Sequence, residues 1–297
     1  MPATLRIGTR ASPLARAQTD IVRDALARHH PDLAVETVLI ATSGDQRPEV
    51  PIPAAGETGF FTSSIQQALL DGEIDLAVHS LKDLPIAEPD GLVVASVPER
   101  ADPRDVLISR ASLPLSELPD GARVGTSSLR RAEQVRAVRP DLQPALIRGN
   151  VATRVAKLDA GEFDAIVLAA AGLIRLGLEG RVTEWLAAPA FLPAPGQGAL
   201  AIEIRENDSR ARAAVAPLDD PDLHAAVAAE RGFLAASGGG CNAPLGALAE
   251  VRDGVLHLSA GRYGDPTATA AFTGRPDDPA ALGQHAARRL LNDHADA

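Results

Sequence analysis

Two short landmarks recur in the same order along this chain, and a chain that repeats itself in this way folds as two similar lobes. Arg6-Ile7-Gly8-Thr9 leads into a helical pattern beginning near Ser12-Pro13, and Arg123-Val124-Gly125-Thr126 leads into one beginning near Ser127-Ser128. Further on, Gly72-Glu73-Ile74-Asp75-Leu76-Ala77-Val78 is echoed by Gly161-Glu162-Phe163-Asp164-Ala165-Ile166-Val167, each time after a helical pattern and each time reading as a strand. The landmarks stand 64 residues apart in the first copy (Gly8 to Gly72) and 36 apart in the second (Gly125 to Gly161). Much of the surplus falls in the Gly/Pro-rich stretch from Thr42 to Gly59, a long surface loop of the kind that is usually functional or mobile.

Between the landmarks, short apolar runs alternate with helical patterns bounded by Ser, Thr, Asn and Gly, for example Val35 to Ile40, Ala145 to Ile147 and Ala165 to Ala169. This is the α/β signature of sheets with helices on both faces. Breaks at Val97-Pro98-Glu99 and at Phe191 to Gly196 mark two crossings between lobes, after which Ala199 to Ile204 returns as a strand to the first lobe. Beyond Pro217 the pattern changes to a helix from Asp222 to Ala236, strands at Leu245 to Val251 and Val255 to Ala260, and a closing helix from Ala280 to Leu291. The division expected is a first α/β lobe from 1–97 and 195–215, a second from 98–194, and a small α+β domain from 216–297.

Composition narrows the function. The chain has 297 residues, 45% hydrophobic and 3% aromatic, enough for two or three mostly aliphatic cores. A balance of 29 basic against 39 acidic residues, net −10, argues against a nucleic-acid or anionic-membrane surface, both of which need a broad basic face. Any anion site is local. Lys82 and Lys157 are the only lysines, so a lysine at a strand end stands out in this arginine-rich chain. The N-terminus runs straight into a strand pattern with no basic and apolar leader, and one cysteine permits no internal disulfide; both point to a reducing, cytoplasmic home.

That cysteine, Cys241, follows three glycines in Ser237-Gly238-Gly239-Gly240-Cys241-Asn242, a loop able to present the sulfur to a ligand. A second cluster, Gly125-Thr126-Ser127-Ser128-Leu129-Arg130-Arg131 with Arg148-Gly149-Asn150 and Arg154, sits where strands end and helices begin. Unpaired N–H groups and a positive dipole end there favour an anion, and arginines in a first helical turn need one nearby to offset their repulsion. Arg10 occupies the matching strand end of the first lobe. A third cluster, Val78-His79-Ser80-Leu81-Lys82-Asp83-Leu84-Pro85, ends a buried strand in charged groups, and Lys82 and Asp83 are placed as cleft residues in an open α/β sheet.

Val78 to Pro85, Gly125 to Arg131, Arg148 to Arg154, Pro195-Gly196-Gln197-Gly198 and Gly239 to Pro244 together resemble the hydroxymethylbilane synthase (porphobilinogen deaminase) family, in order and across nearly the whole chain. The resemblance implies two lobes like those of periplasmic binding proteins with a cleft between them, and a third domain bearing a cofactor cysteine. It also implies head-to-tail condensation of four porphobilinogen molecules onto a covalent dipyrromethane primer, with release of ammonia and final hydrolysis to 1-hydroxymethylbilane. Cys241 matches the thioether position and Asp83 the catalytic carboxylate, which would stabilise the positive azafulvene intermediate. Lys82, Ser127, Ser128, Arg130, Arg131 and Arg154 match positions that hold the cofactor. Arg10, Ser12, Arg148, Asn150, Arg175 and Gln197 match substrate-side positions. A primer with four added rings carries twelve carboxylates, which explains the demand for arginine. No metal is implied, and family members commonly act as monomers.

One departure stands in the loop over the cleft, where many members carry lysines and this chain reads Ala54-Ala55-Gly56-Glu57-Thr58-Gly59-Phe60-Phe61. Either Arg47 substitutes for those cations or the loop acts by excluding water. Two other classes remain open on the residues alone. One is a noncatalytic binder of small polycarboxylates, for which a reactive thiol is superfluous. The other is a phosphate-ester enzyme, for which no G-x-x-x-x-G-K-S/T loop is present.

Overall fold

A computed structural model describes residues 4–41, 62–238 and 243–292. The loop from Thr42 to Gly59, with Arg47, Ala54, Glu57 and Thr58, lies outside the described residues, and so does Cys241. The chain divides into two compact units, Met1–Arg100 with Ala199–His224 and Ala101–Gly198 with Ala225–Ala297.

The first unit is a five-stranded sheet in the order β2-β1-β3-β10-β4, built from β1 (Leu5–Thr9), β2 (Val35–Leu39), β3 (Leu76–Ser80), β4 (Leu92–Ser96) and β10 (Leu200–Arg205). Strands β1, β2 and β3 run parallel, and β10 is antiparallel to both β3 and β4. Helices α1 (Pro13–His29) and α6 (Ser209–Val215) cover one face through Val22, Leu26, Ala211 and Val215 against Leu5, Ile7, Val78 and Ile202. Helix α2 (Ser63–Leu70) covers the other face with Ile65, Ala68 and Leu69 against Ile74 and Ala77.

The second unit repeats the plan in the order β7-β6-β8-β5-β9, from β5 (Asp105–Ser109), β6 (Arg123–Thr126), β7 (Gln143–Leu146), β8 (Ala165–Ala169) and β9 (Glu184–Leu186). Here β6, β7 and β8 are parallel, and β5 is the antiparallel strand between β8 and β9. Helix α3 (Leu129–Val138) packs on one face, and α4 (Val151–Asp159) with α5 (Ala170–Arg175) on the other. The two α/β lobes expected from the repeated landmarks are thus two sheets of matching order.

The landmarks are the two halves of one lock. In each lobe a helix ends on a glycine with positive φ, Gly72 at +70° and Gly161 at +79°, and the next N–H reaches back five residues, Glu73 to Ala68 O (2.9 Å) and Glu162 to Lys157 O (3.1 Å). The following aspartate accepts the backbone N–H of the arginine in the first strand, Arg6 to Asp75 (2.8 Å) and Arg123 to Asp164 (2.8 Å). Between them, Ile74 and Phe163 lie against Gly8 and Gly125. A Cβ on Gly8 would overlap Ile74 Cδ1, and one on Gly125 would sit 3.0 Å from Phe163 Cδ1.

The crossings run side by side, with Arg100 bridged to Ala199 and the Ala101 N–H bonded to Gly198 O (3.1 Å). Residues from Ala225 onward add most of α7 (Pro221–Ala236), the antiparallel sheet β11-β12-β13 (Leu245–Arg252, Val255–Arg262, Ala268–Gly274) and α8 (Pro279–Asn292), which packs on β12 and β13. This small α+β segment is tied to the stretch before the second crossing. Ala247 N–H bonds Pro193 O (2.9 Å), and buried Glu230 accepts both Gly196 N–H (2.6 Å) and Ala249 N–H (2.7 Å). Strands β4, β5, β9 and β13 did not stand out in the sequence. No helix among the described residues is long and apolar enough to cross a membrane.

Candidate active site

Parallel strands in each lobe release their functional residues at one sheet edge. In the first lobe β1 delivers Arg10, partly buried, and Ser12, whose hydroxyl caps α1 by accepting the Ala15 N–H (3.3 Å). Beside it β3 runs into a single 3-10 turn, Leu81–Asp83, fixed by Leu81 N–H to Ala199 O (3.0 Å) and Leu84 N–H to Leu81 O (3.2 Å). The turn leaves Asp83 exposed and Lys82 partly buried. The strand end itself is braced by Gln18 Nε2 donating to Ser80 Oγ (2.7 Å) and by a buried polar row. In that row His79 Nε2 lies 3.0 Å from one oxygen of Glu203, and Gln66 Nε2 donates to the other (2.9 Å).

In the second lobe Ser127 is exposed and Ser128 caps α3, its Oγ accepting the Arg131 N–H (3.5 Å) while its own N–H bonds Thr126 Oγ1 (3.1 Å). Asn150 caps α4 through Thr153 N–H to Oδ1 (2.9 Å). The anion that the arginines of the first turn call for proves to be a protein group, Asp105 at the head of β5, fully buried. Its Oδ2 accepts Arg130 Nη1 (2.7 Å), and its Oδ1 accepts Arg131 Nε (3.0 Å), Arg131 Nη2 (2.8 Å) and Gln197 Nε2 (2.7 Å). Arg130 Nη1 also meets Leu192 O (2.5 Å) and Gln134 Oε1 (2.9 Å). Burial alone would push the Asp105 carboxyl up; the two guanidinium groups override it and hold the group well below the usual carboxylate range. Burial also pulls Arg130 below its ordinary value, against the pull of Asp105.

Arg148 and Arg154 receive no such partner. Arg154 Nε donates to Gly149 O (2.8 Å), but among the described residues neither side chain forms an ion pair. Burial, then the charges of Arg131 and Arg148, bring Arg154 down to about 10. Burial disfavours the charged guanidinium, and neighbouring positive charges add to the effect. Arg175 Nη2 donates to Gly198 O (2.8 Å), close in sequence to the buried Gln197.

The structure therefore gathers Arg130, Arg131 and Gln197 on one carboxylate, with Arg154 near enough to feel the charges of both Arg131 and Arg148. Arg10, Ser12, Lys82 and Asp83 belong to the first unit, and Cys241 lies outside the described residues. Sequence reasoning missed Asp105 and the His79–Glu203 pair. The available signal was a charged residue heading or interrupting an apolar strand, as in Asp105-Val-Leu-Ile and Ala-Ile-Glu203-Ile.

These features define a class: a duplicated α/β protein whose strand ends carry a carboxylate in one lobe and a cluster of guanidinium groups in the other. Residues 5–213 match the family described as porphobilinogen deaminase, dipyromethane cofactor binding domain, and 224–292 match the porphobilinogen deaminase C-terminal domain. The chain belongs to the porphobilinogen deaminase family and shares its hydroxymethylbilane synthase activity, that of a transferase in tetrapyrrole synthesis. It is 49% identical to porphobilinogen deaminase of Roseiflexus castenholzii over 98% of this chain and 97% of that one. Against the protein of the same name from Syntrophobacter fumaroxidans the identity is 46%, over 98% and 95%. Among solved structures, a periplasmic substrate-binding protein of a Coxiella burnetii ABC transporter aligns with TM-score 0.46 and 17% identity, over 73% of this chain and 93% of that one.

Proposed function

We propose that this chain carries out the hydroxymethylbilane synthase reaction with Asp83 as its catalytic carboxylate and with a dipyrromethane primer held by a thioether to Cys241. The observation that supports primer binding most directly is that, among the described residues, neither Arg148 nor Arg154 forms an ion pair, while Arg154 is partly buried beside the charges of Arg131 and Arg148. A group bearing one acetate and one propionate per ring fits such a set of donors, because bidentate guanidinium–carboxylate pairs would remove the mutual repulsion. In this reading Lys82, Ser127, Ser128, Arg131 and Arg154 hold the primer, with the buried Arg130 contributing from behind them. Arg10, Ser12, Arg148, Asn150 and Arg175 take the carboxylates of incoming porphobilinogen, and the buried Gln197 supports them indirectly through Asp105 and Arg131. When bound, the primer supplies the pyrrole carbon to which the first substrate is joined.

The protein's own contribution is positioning and charge. Asp83, exposed on a short turn at a braced strand end, is suited to accept the pyrrole N–H of porphobilinogen. Its negative charge would also stabilise the cation that develops on the substrate as ammonia leaves. Because the side chain is exposed, Asp83→Asn should leave thermal stability nearly unchanged while kcat falls by about 10²–10⁴-fold; equal rates in the two proteins would remove Asp83 from the role.

We further propose three modules with the boundaries 1–97 and 195–215, 98–194, and 216–297. The family matches ending at 213 and beginning at 224 support the last boundary. A cytoplasmic monomer that binds neither nucleic acid nor membrane completes the proposal, and light scattering of the purified chain tests its oligomeric part. The decisive experiment is the intact mass of denatured protein after incubation with porphobilinogen. An increment of two pyrrole units, with further single-unit steps and none in Cys241→Ser, is expected. An unmodified mass in both would favour a noncatalytic polycarboxylate binder.

A further inference from the structure

Two arginines, one carboxylate and one amide form a closed group at the head of β5, and the stoichiometry is unusual for a buried cluster. A buried ionic group that serves the fold alone is expected to balance its charges, since uncompensated buried charge costs more than an apolar replacement. Here Asp105 is wholly buried and Arg130 and Arg131 are 3% and 6% exposed, yet one negative charge faces two positive ones. Arg154 feels the charges of Arg131 and Arg148, and among the described residues neither Arg148 nor Arg154 forms an ion pair.

We propose that Asp105 is the positioning residue of the primer cradle: a carboxylate of the protein's own that fixes the orientation of Arg131 and anchors Arg130 and Gln197, leaving one positive charge for a carboxylate of the primer. The inference rests on the primer reading above and adds a residue that reading does not contain. Asp105 is fit for the task because its backbone is held on both sides, opposite Ala169 of β8 and Leu186 of β9. Its Oδ1 accepts Arg131 through both Nε and Nη2, a side-on grip that fixes the guanidinium plane. Gln197 closes the group by donating to Oδ1 and to Pro103 O (2.8 Å) while accepting Arg131 Nη2 (3.2 Å). Arg130 is directed inward by Leu192 O and Gln134, so the two adjacent arginines divide the work. Arg130 anchors, and Arg131 carries the charge left over, its Nη1 making only a long bond to Val167 O (3.4 Å).

Asp105→Glu separates positioning from neutralisation, because it keeps the negative charge and moves the carboxylate by about one bond length, a displacement on the scale of 1 Å that can cost 10²-fold in a preorganised site. The readout is the denatured intact mass of the full chain, as purified and through a time course with porphobilinogen, alongside the thermal unfolding midpoint. We expect Asp105→Glu to fold and to acquire the primer increment about 10- to 100-fold more slowly than the unsubstituted chain. Loading at the unsubstituted rate would overturn the positioning role. If Asp105→Glu does not fold, Asp105→Asn decides: a folded variant that fails to load supports the proposal, and one that loads normally overturns it. Failure of both to fold would assign Asp105 to the stability of the lobe and overturn it as well. If the unsubstituted chain itself carries and acquires no primer, the failure belongs to the underlying reading.

Discussion

Arg154 sits among like charges, and the cost of keeping it charged can be measured. Its folded pKa, about 10, lies below that of a free guanidinium, so the charged form is disfavoured in the folded state. That penalty is present at every pH below about 10 and fades as pH rises through it toward the unfolded value. In Cys241→Ser protein, Arg154→Met should therefore raise the unfolding midpoint at pH 7.5 by about 2–4 °C, corresponding to roughly 1 kcal/mol. The gain should shrink above pH 10; a midpoint that falls instead would mean that Arg154 already has a compensating partner. Asp105 has the opposite sign. Its depressed pKa contributes stability above the unfolded value of about 3.9, lost as pH falls further. Asp105→Asn should cost about 3 kcal/mol at pH 7 in denaturant titrations, with the gap closing in acid; no change would deny the ion pair its weight.

The helix-to-strand lock belongs to the scale of the element. Gly8→Ala forces its new methyl into Ile74, at a cost of about 1–3 kcal/mol. Ile74→Val removes Cδ1, the atom in conflict, so the double variant should be more stable than the sum of the single effects implies. Strict additivity in urea unfolding would refute the contact. This lock explains what could be read in advance. Glycine, apolar residue and aspartate recur as neighbours in sequence because a single turn brings them together, so the duplication was visible in the letters. Strands β4, β5 and β9 were not, since their partners come from distant parts of the chain. The largely exposed β13, made mostly of Ala, Thr and Gly, offered only the short apolar run Ala270-Ala271-Phe272. At the site the same distinction holds. Ser128 and Asn150 were recognisable from local capping patterns, whereas Asp105 matters only because α3 packs over β5.

At the scale of the whole molecule, Glu230 joins the C-terminal segment to the stretch before the second crossing. It is fully buried and accepts two backbone N–H groups, from Gly196 and Ala249. Glu230→Leu strands both donors and should cost about 3 kcal/mol in chemical unfolding; a neutral result would mean that those N–H groups find other acceptors. The position of β10 has a different kind of consequence. The second lobe's sheet comes entirely from the contiguous stretch Asp105–Leu186, whereas the first lobe needs β10, Leu200–Arg205, between β3 and β4. Among the described residues, strand β4 has no other partner in the sheet. On the ribosome, the half that is translated first therefore cannot complete its sheet until the half translated after it has emerged, so the order of synthesis and the order of folding are reversed.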